Sequence, residues 1–230
     1  MKNQYMISFR KNAIIAGILF LTALVSSLLG GGLLESVLKT PDHLTIIPTD
    51  TSVMITGVIL EFVNGIAVIG IAVILFPVLK QYNESIALGY VGFRIIESIF
   101  CIVSAMIPVA LIKLSREYKN AGTSYMYTLS TFIIEARTEL AELLIPVFFG
   151  LGALLFYYLL YKSKLIPRLI SVWGFIGAIL ILILCFIEGN TIINMIFVLP
   201  IILNEIFLGI WLIVKGFDKS RIISGTEQMS

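Results

Sequence analysis

Charge is scarce in this chain. Only 13% of its 230 residues are Asp, Glu, Lys or Arg, against roughly 25% in soluble domains, while 59% are hydrophobic and mean hydropathy is +1.03. A soluble globule cannot hide that much apolar surface. Soluble enzymes, nucleic-acid readers and disordered scaffolds are therefore excluded, and the lipid bilayer is the expected partner. Histidine is scarcer still: His43 stands alone, which removes a bis-histidine haem site and a histidine-rich metal cluster. Cys101 and Cys185 both fall inside long apolar runs and read as small buried hydrophobes, not as a disulfide. The H-E-x-x-H, P-loop, G-x-S-x-G and C-x-x-C signatures are absent, so metalloprotease, ATPase, serine-hydrolase and dithiol chemistry lose their usual markers. Asp42, Asp50 and Asp218 all lie outside the apolar runs, which excludes a pair of intramembrane aspartates for proteolysis. No cofactor, no metal and no nucleic-acid partner is expected.

What the chain has in abundance is long hydrophobic runs. About 20 mostly apolar residues cross a hydrocarbon core of about 30 Å as a helix, and residues 13–34, 53–79, 87–112, 140–161, 169–187 and 192–214 meet that length. The runs are continuous and lack the alternation of outer-membrane strands. The expected fold is all-α: one six-helix transmembrane domain over residues 1–217, followed by a short polar tail over 218–230. The first run is longer than the h-region of a cleaved signal peptide and reads as a retained span. With an even number of spans, ten lysines and arginines fall on the side of the termini and four on the other. That bias places both termini in the cytoplasm of a cell membrane. Residues 35–51 and 115–134 read as the two longer connections, both on the opposite side, and the helix holding 140–161 is expected to begin ahead of its membrane portion, near Thr131.

Against this apolar background the ionisable residues inside the runs are conspicuous. Each costs about 2.5–3.5 kcal/mol at a helix centre on insertion scales and so requires a partner or a wet cavity. Glu61 and Asn64 lie three apart in the second run, Arg94 and Glu97 three apart in the third, and Asn204 and Glu205 adjoin in the sixth. In the third, Tyr90, Arg94, Glu97, Cys101, Ser104 and Pro108 follow spacings of 4, 3, 4, 3 and 4 and share one face. At 1.5 Å per residue, Glu97 and Glu205 lie roughly 15 and 14 Å from the cytoplasmic ends of their helices, so both are placed to meet Arg94, with Glu61 nearer the outer surface. The expected binding cluster is Glu61, Asn64, Arg94, Glu97, Asn204 and Glu205. A separate row, Glu135, Glu139 and Glu142, follows i, i+4, i+7 spacing on one helix face, with Arg137 displaced from it. The row reads either as a solvated face or as a dock for a cation or amine. Tyr157, Tyr158, Tyr161, Lys162, Lys164 and Arg168 form an aromatic and basic belt suited to the inner interface, where an anionic lipid could bind.

Three stretches, GYVGFRIIES (89–98), YLLYKSKLIPRLISVWGFIGA (158–178) and NEIFLGIWLIVKGF (204–217), occur in an order that resembles a prokaryotic membrane-protein family known as domain of unknown function 4386. The resemblance implies a six-helix integral membrane protein and brings no activity or catalytic residues with it. Three functional expectations remain open. A small solute or ion is handled at the buried cluster, which requires hydration. Alternatively the buried charges fix helix packing in a structural or regulatory subunit with a protein partner. A third reading is a carboxylate-based membrane enzyme that uses the outer row on a lipid-linked substrate.

Overall fold

The computed structural model describes residues 2–187 and 191–218, and among these there is no strand. The elements are α1 (Lys2–Leu38), α2 (His43–Ile46), α3 (Thr51–Leu79), α4 (Glu84–Ala121), α5 (Ser124–Glu139), a π-helical turn (Leu140–Leu144), α6 (Ile145–Ser163), α7 (Arg168–Leu184) and α8 (Thr191–Val214). Five helical stretches are long and apolar enough to cross a membrane, and α7 is a shorter apolar helix. Their outward faces carry exposed Ile18, Ile66, Leu88, Leu169 and Ile196. Water would penalise such a surface while hydrocarbon does not, so the architecture is compatible with a multi-pass membrane protein. The expected polar tail lies, from residue 219 onward, outside the described residues.

Each long helix packs on the next, and the last returns to the first: α1 on α3, α3 on α4, α4 on α6, α6 on α7, α7 on α8 and α8 on α1. The result is a closed ring of antiparallel neighbours. Its near end is where α1 starts and α8 stops. The seam between α1 and α8 closes because Gly17 meets Gly209; a Cβ on Gly17 would stand 2.6 Å from the Gly209 carbonyl oxygen. At the near end Arg10 donates to the carbonyls of Leu212, Ile213 and Val214 at 3.2, 2.7 and 3.1 Å, which satisfies the free carbonyls of the last turn of α8 and places a cation at its negative pole. The middle of the ring is filled by large side chains. Phe20, Tyr90, Phe156 and Tyr157 are all buried there, with Phe156 stacked on Phe20 and on Tyr90 at centroid distances of 5.9 and 5.2 Å.

The far end departs from the sequence expectation. Residues 35–51 are no open loop, because α1 continues to Leu38 and α2 forms inside the connection. Residues 115–134 are likewise helical apart from a break at 122–123: α4 has 38 residues, roughly 57 Å at helical rise, and Ser124–Ser163 continues as one 40-residue helical rod. The physical reason is pairing. A helix that leaves the hydrocarbon loses its lipid contacts, but α4 and α5 run side by side and support one another and α2. His43, read from sequence only as a loop residue, is buried. Its Nε2 lies 2.8 Å from Ser130 Oγ, its ring stacks on Tyr127, and the Tyr127 hydroxyl donates to the Pro41 carbonyl at 2.9 Å. A second apolar cluster, including Leu34, Ile47, Met54 and Leu111, lies beneath this cap.

The ring geometry separates two classes of glycine in α1. Gly17→Ala should destabilise the protein by about 1–3 kcal/mol, the range for overpacking a tight contact, whereas Gly32→Ala, with nothing within 4 Å of its added carbon, should be neutral or slightly stabilising. Unfolding of both variants in lipid nanodiscs checks this. Equal effects would contradict the closed seam.

Candidate functional site

The structure divides the expected cluster of charges into two parts and supplies a partner that the sequence reading placed elsewhere. Arg94 and Glu97 form an ion pair within one turn of α4, Nη1 to Oε2 at 2.9 Å, with both side chains only 5% exposed. The guanidinium also sits over the ring of Phe149 at 5.5 Å, and its aliphatic stem packs against Gly152 of α6. Glu205 is close enough for an electrostatic interaction with Arg94 but forms no ion pair with it, so the expected bridge from Arg94 to two acids is made to only one. Glu61 does not join this group. Its Oε1 accepts from Nη2 of Arg137, a residue expected in the headgroup region beside the outer carboxylate row.

Arg137 stands just ahead of a π turn in the same rod. Pro146 has no N–H to donate and crowds the carbonyl four residues before it, and just ahead of it the ladder widens so that the Ile145 N–H donates to Leu140, five residues back. An ordinary α-helix drifts about 40° around its axis every four residues. The wider turn takes up that drift and keeps Arg137, Ala141 and Ile145 on the wall of one cavity. Of the acidic row, Glu142 lies within this turn, whereas Glu135 and Glu139 precede it in α5. All three of these acids are exposed, and among the described residues no three His, Cys, Asp or Glu side chains are grouped to hold a metal ion. The sequence did contain a signal for Arg137: with Ile134, Ala141 and Ile145 it forms a stripe at spacings of 3, 4 and 4, on the face opposite the acids.

The cavity has a volume of about 140 Å³, and its polar wall includes Ser27, Glu35, Glu61, Asn64, Cys101, Ser104 and Arg137. That is the liquid volume of roughly five waters at about 30 Å³ each. Glu35 stands at the exposed side of α1 and pairs with Lys39 at 2.8 Å. Asn64 donates to Cys101 Sγ at 3.7 Å. The pair at the centre is incompletely satisfied, since Oε2 of Glu61 and Nε of Arg137 are buried with no hydrogen-bond partner among the described residues, as are Nε of Arg94 and Oε2 of Glu97 in the enclosed pair. In the Glu61–Arg137 pair one oxygen is thus free to accept and one N–H free to donate, both buried in the cavity region. Along α4 the shared face runs from Ser104 and Cys101, which line the cavity, down to Glu97 and Arg94. The expected face is therefore real, and it links the two charged groups through Cys101.

Asn204, expected to belong to the binding cluster, serves as a joint instead. It is fully buried, accepts from the Tyr157 hydroxyl at 2.6 Å and donates to the Ile170 carbonyl at 2.9 Å, which ties α6, α7 and α8 together. Gly174 makes room for this contact: a Cβ there would stand 2.2 Å from the Tyr157 ring.

The family described as Domain of unknown function (DUF4386) matches residues 15–216, and neither a curated protein nor a solved structure matches.

The pairing predicts a strong asymmetry between single and double variants. Arg137→Gln leaves the Glu61 carboxylate buried and alone and should cost about 3–5 kcal/mol, whereas Glu61→Gln/Arg137→Gln should recover much of that loss, because neutral partners carry no such desolvation penalty. Unfolding in nanodiscs measures the coupling. Additive single effects would contradict a direct pair.

Proposed function

From the premise that this chain belongs to the DUF4386 family, whose description assigns no activity, we propose that it is a six-span membrane protein that handles a small polar solute or ion in the cavity at Glu61 and Arg137. The observation that carries this reading is the combination, inside an apolar bundle, of a 140 Å³ cavity with a buried carboxylate oxygen and a buried guanidinium N–H that no described residue satisfies. Burying a polar group without a partner costs several kcal/mol in hydrocarbon, so the natural occupants are water, an ion, or a small molecule that donates at one end and accepts at the other. Asn64, Cys101 and Ser104 add neutral polar contacts along the same wall.

A specific observation favours a structural role for the other charged group. Arg94 and Glu97 lie on one helix, are almost fully enclosed and pack against Phe149 and Gly152. We assign them to fixing the α4–α6 contact, with Glu205 as an additional acid at the same depth. Six spans follow if α7, at 17 residues or roughly 26 Å, crosses with its neighbours. The Lys and Arg bias then puts the near end in the cytoplasm.

Two experiments test these readings. Purified protein in proteoliposomes on a solid-supported membrane is challenged with jumps of protons, sodium, potassium, ammonium and small zwitterionic amino acids. At least one should give a transient current that is reduced at least about tenfold in Glu61→Gln; silence to the whole panel, or an unchanged response in that variant, would sink the proposal. For topology, Lys119→Cys and Lys162→Cys in a Cys101→Ala/Cys185→Ala background are exposed to a membrane-impermeant maleimide on intact cells. Only Lys119→Cys should label, and labelling of Lys162→Cys would overturn the orientation.

A further inference from the structure

A second cavity, at the near end and unconnected with the Glu61 site, holds about 460 Å³ between the α6–α7 turn and the end of α8. Backbone geometry builds it. Lys164 takes the left-handed conformation with φ 55° and ends α6, the turn through 165–167 leads into α7, and the Asp218 N–H donates to the Leu165 carbonyl at 2.9 Å, so that the segment after α8 lies against that turn. Gly216, with φ 73°, allows the chain to bend there, and a Cβ on it would stand 2.6 Å from Arg10 Nη1.

The charges on the wall are lopsided. Lys164, Arg168 and Lys215 share the cavity with a single carboxylate, Asp218. All three cations are exposed, and none forms an ion pair with another described residue. With three cations against one carboxylate the wall keeps a net positive charge, which favours a further anion among them. The remaining wall is aromatic and apolar, with Trp211 half-buried and Phe217 and Ile166 buried. Arg168 lies over the Tyr161 ring at 5.0 Å. Aromatic rings and cations at one level are characteristic of headgroup depth, where basic pockets collect anionic lipid.

We propose that this cavity binds the phosphate group of an anionic phospholipid, with Lys164, Arg168 and Lys215 on the phosphate and Trp211 against the glycerol. A guanidinium offers two parallel donors to phosphate oxygens while the lysines act as point charges, and the aromatic wall distinguishes a lipid from free phosphate, which has no apolar part to place there.

The test uses the full chain in nanodiscs of mixed phosphatidylglycerol and phosphatidylcholine, with retained lipid counted by native mass spectrometry and thermal stability followed in parallel. Wild type should retain phosphatidylglycerol over phosphatidylcholine by at least about tenfold. Lys164→Gln/Lys215→Gln should bring that ratio close to one, Lys164→Arg/Lys215→Arg should restore it, and Lys162→Gln, outside the cavity, should leave it unchanged. Absence of selection by wild type, or full selection by the glutamine variant, overturns the proposal. Stabilisation by inorganic phosphate alone, without lipid selection, overturns the lipid assignment. Because wild-type selection is read without any substitution, the outcome does not depend on every variant folding.

Discussion

A charge surrounded by hydrocarbon must be paired, hydrated or absent, and the organisation of this protein depends on how its few buried charges meet that demand. The penalty for an unpaired charge is comparable with a large part of a protein's net stability. Arg94 meets the demand with Glu97 on its own helix, so that ion pair forms before any other helix docks, although Arg94 Nε stays buried without a hydrogen-bond partner among the described residues. Glu61 meets it only through Arg137, from a helix that stands 76 residues further along the chain. The second pairing therefore depends on tertiary structure, and it brings α3 and the α5–α6 rod together around a cavity.

The closed ring supplies the rest of that setting. Hydrocarbon offers no hydrophobic drive for helices to associate, so contact depends on close backbone approach and on polar joints. Gly17 against Gly209 and Gly174 beneath Tyr157 provide the first; Asn204 between Tyr157 and Ile170, and Ser98 donating to the Gly65 carbonyl at 2.7 Å, provide the second. These joints fix the positions of α4 and α6, and through them the depth of Arg94 and the wall on which Cys101 and Ser104 stand. The π turn ahead of Pro146 interrupts the rod where it borders the candidate cavity, and π turns frequently mark functional sites.

Helix content and most spans were legible in the sequence because apolar runs of that length have few other solutions. The inward face of α4 was legible too, since its polar residues keep helical spacing without interruption. Long-range pairing was harder to read. Helical rise taken helix by helix sets Glu61 nearer the outer surface than Arg94 but gives it no partner, and it leaves Arg137 in the headgroups; the pairing of the two needs the approach of separate helices. Charge beside a stripe of acids drew Arg137 to the surface in the reading, although its own neighbours at spacings of three and four are apolar. His43 was missed for a related reason. A histidine between Pro41 and Pro48 looks like loop, and only the tertiary approach of α5 gives its ring Ser130 and Tyr127 as partners.

Two buried ion pairs, each with unsatisfied polar atoms, differ in their surroundings: one is enclosed by packing against Phe149 and Gly152 and the other borders a polar cavity. A structure in lipid at a resolution that shows ordered water compares them directly within one molecule. Density for water or an ion is expected to bridge Glu61 Oε2 and Arg137 Nε, and none is expected between Arg94 and Glu97, which Phe149 and Gly152 enclose. A collapsed, dry cavity at Glu61, with its carboxylate fully satisfied by protein groups alone, would contradict that expectation.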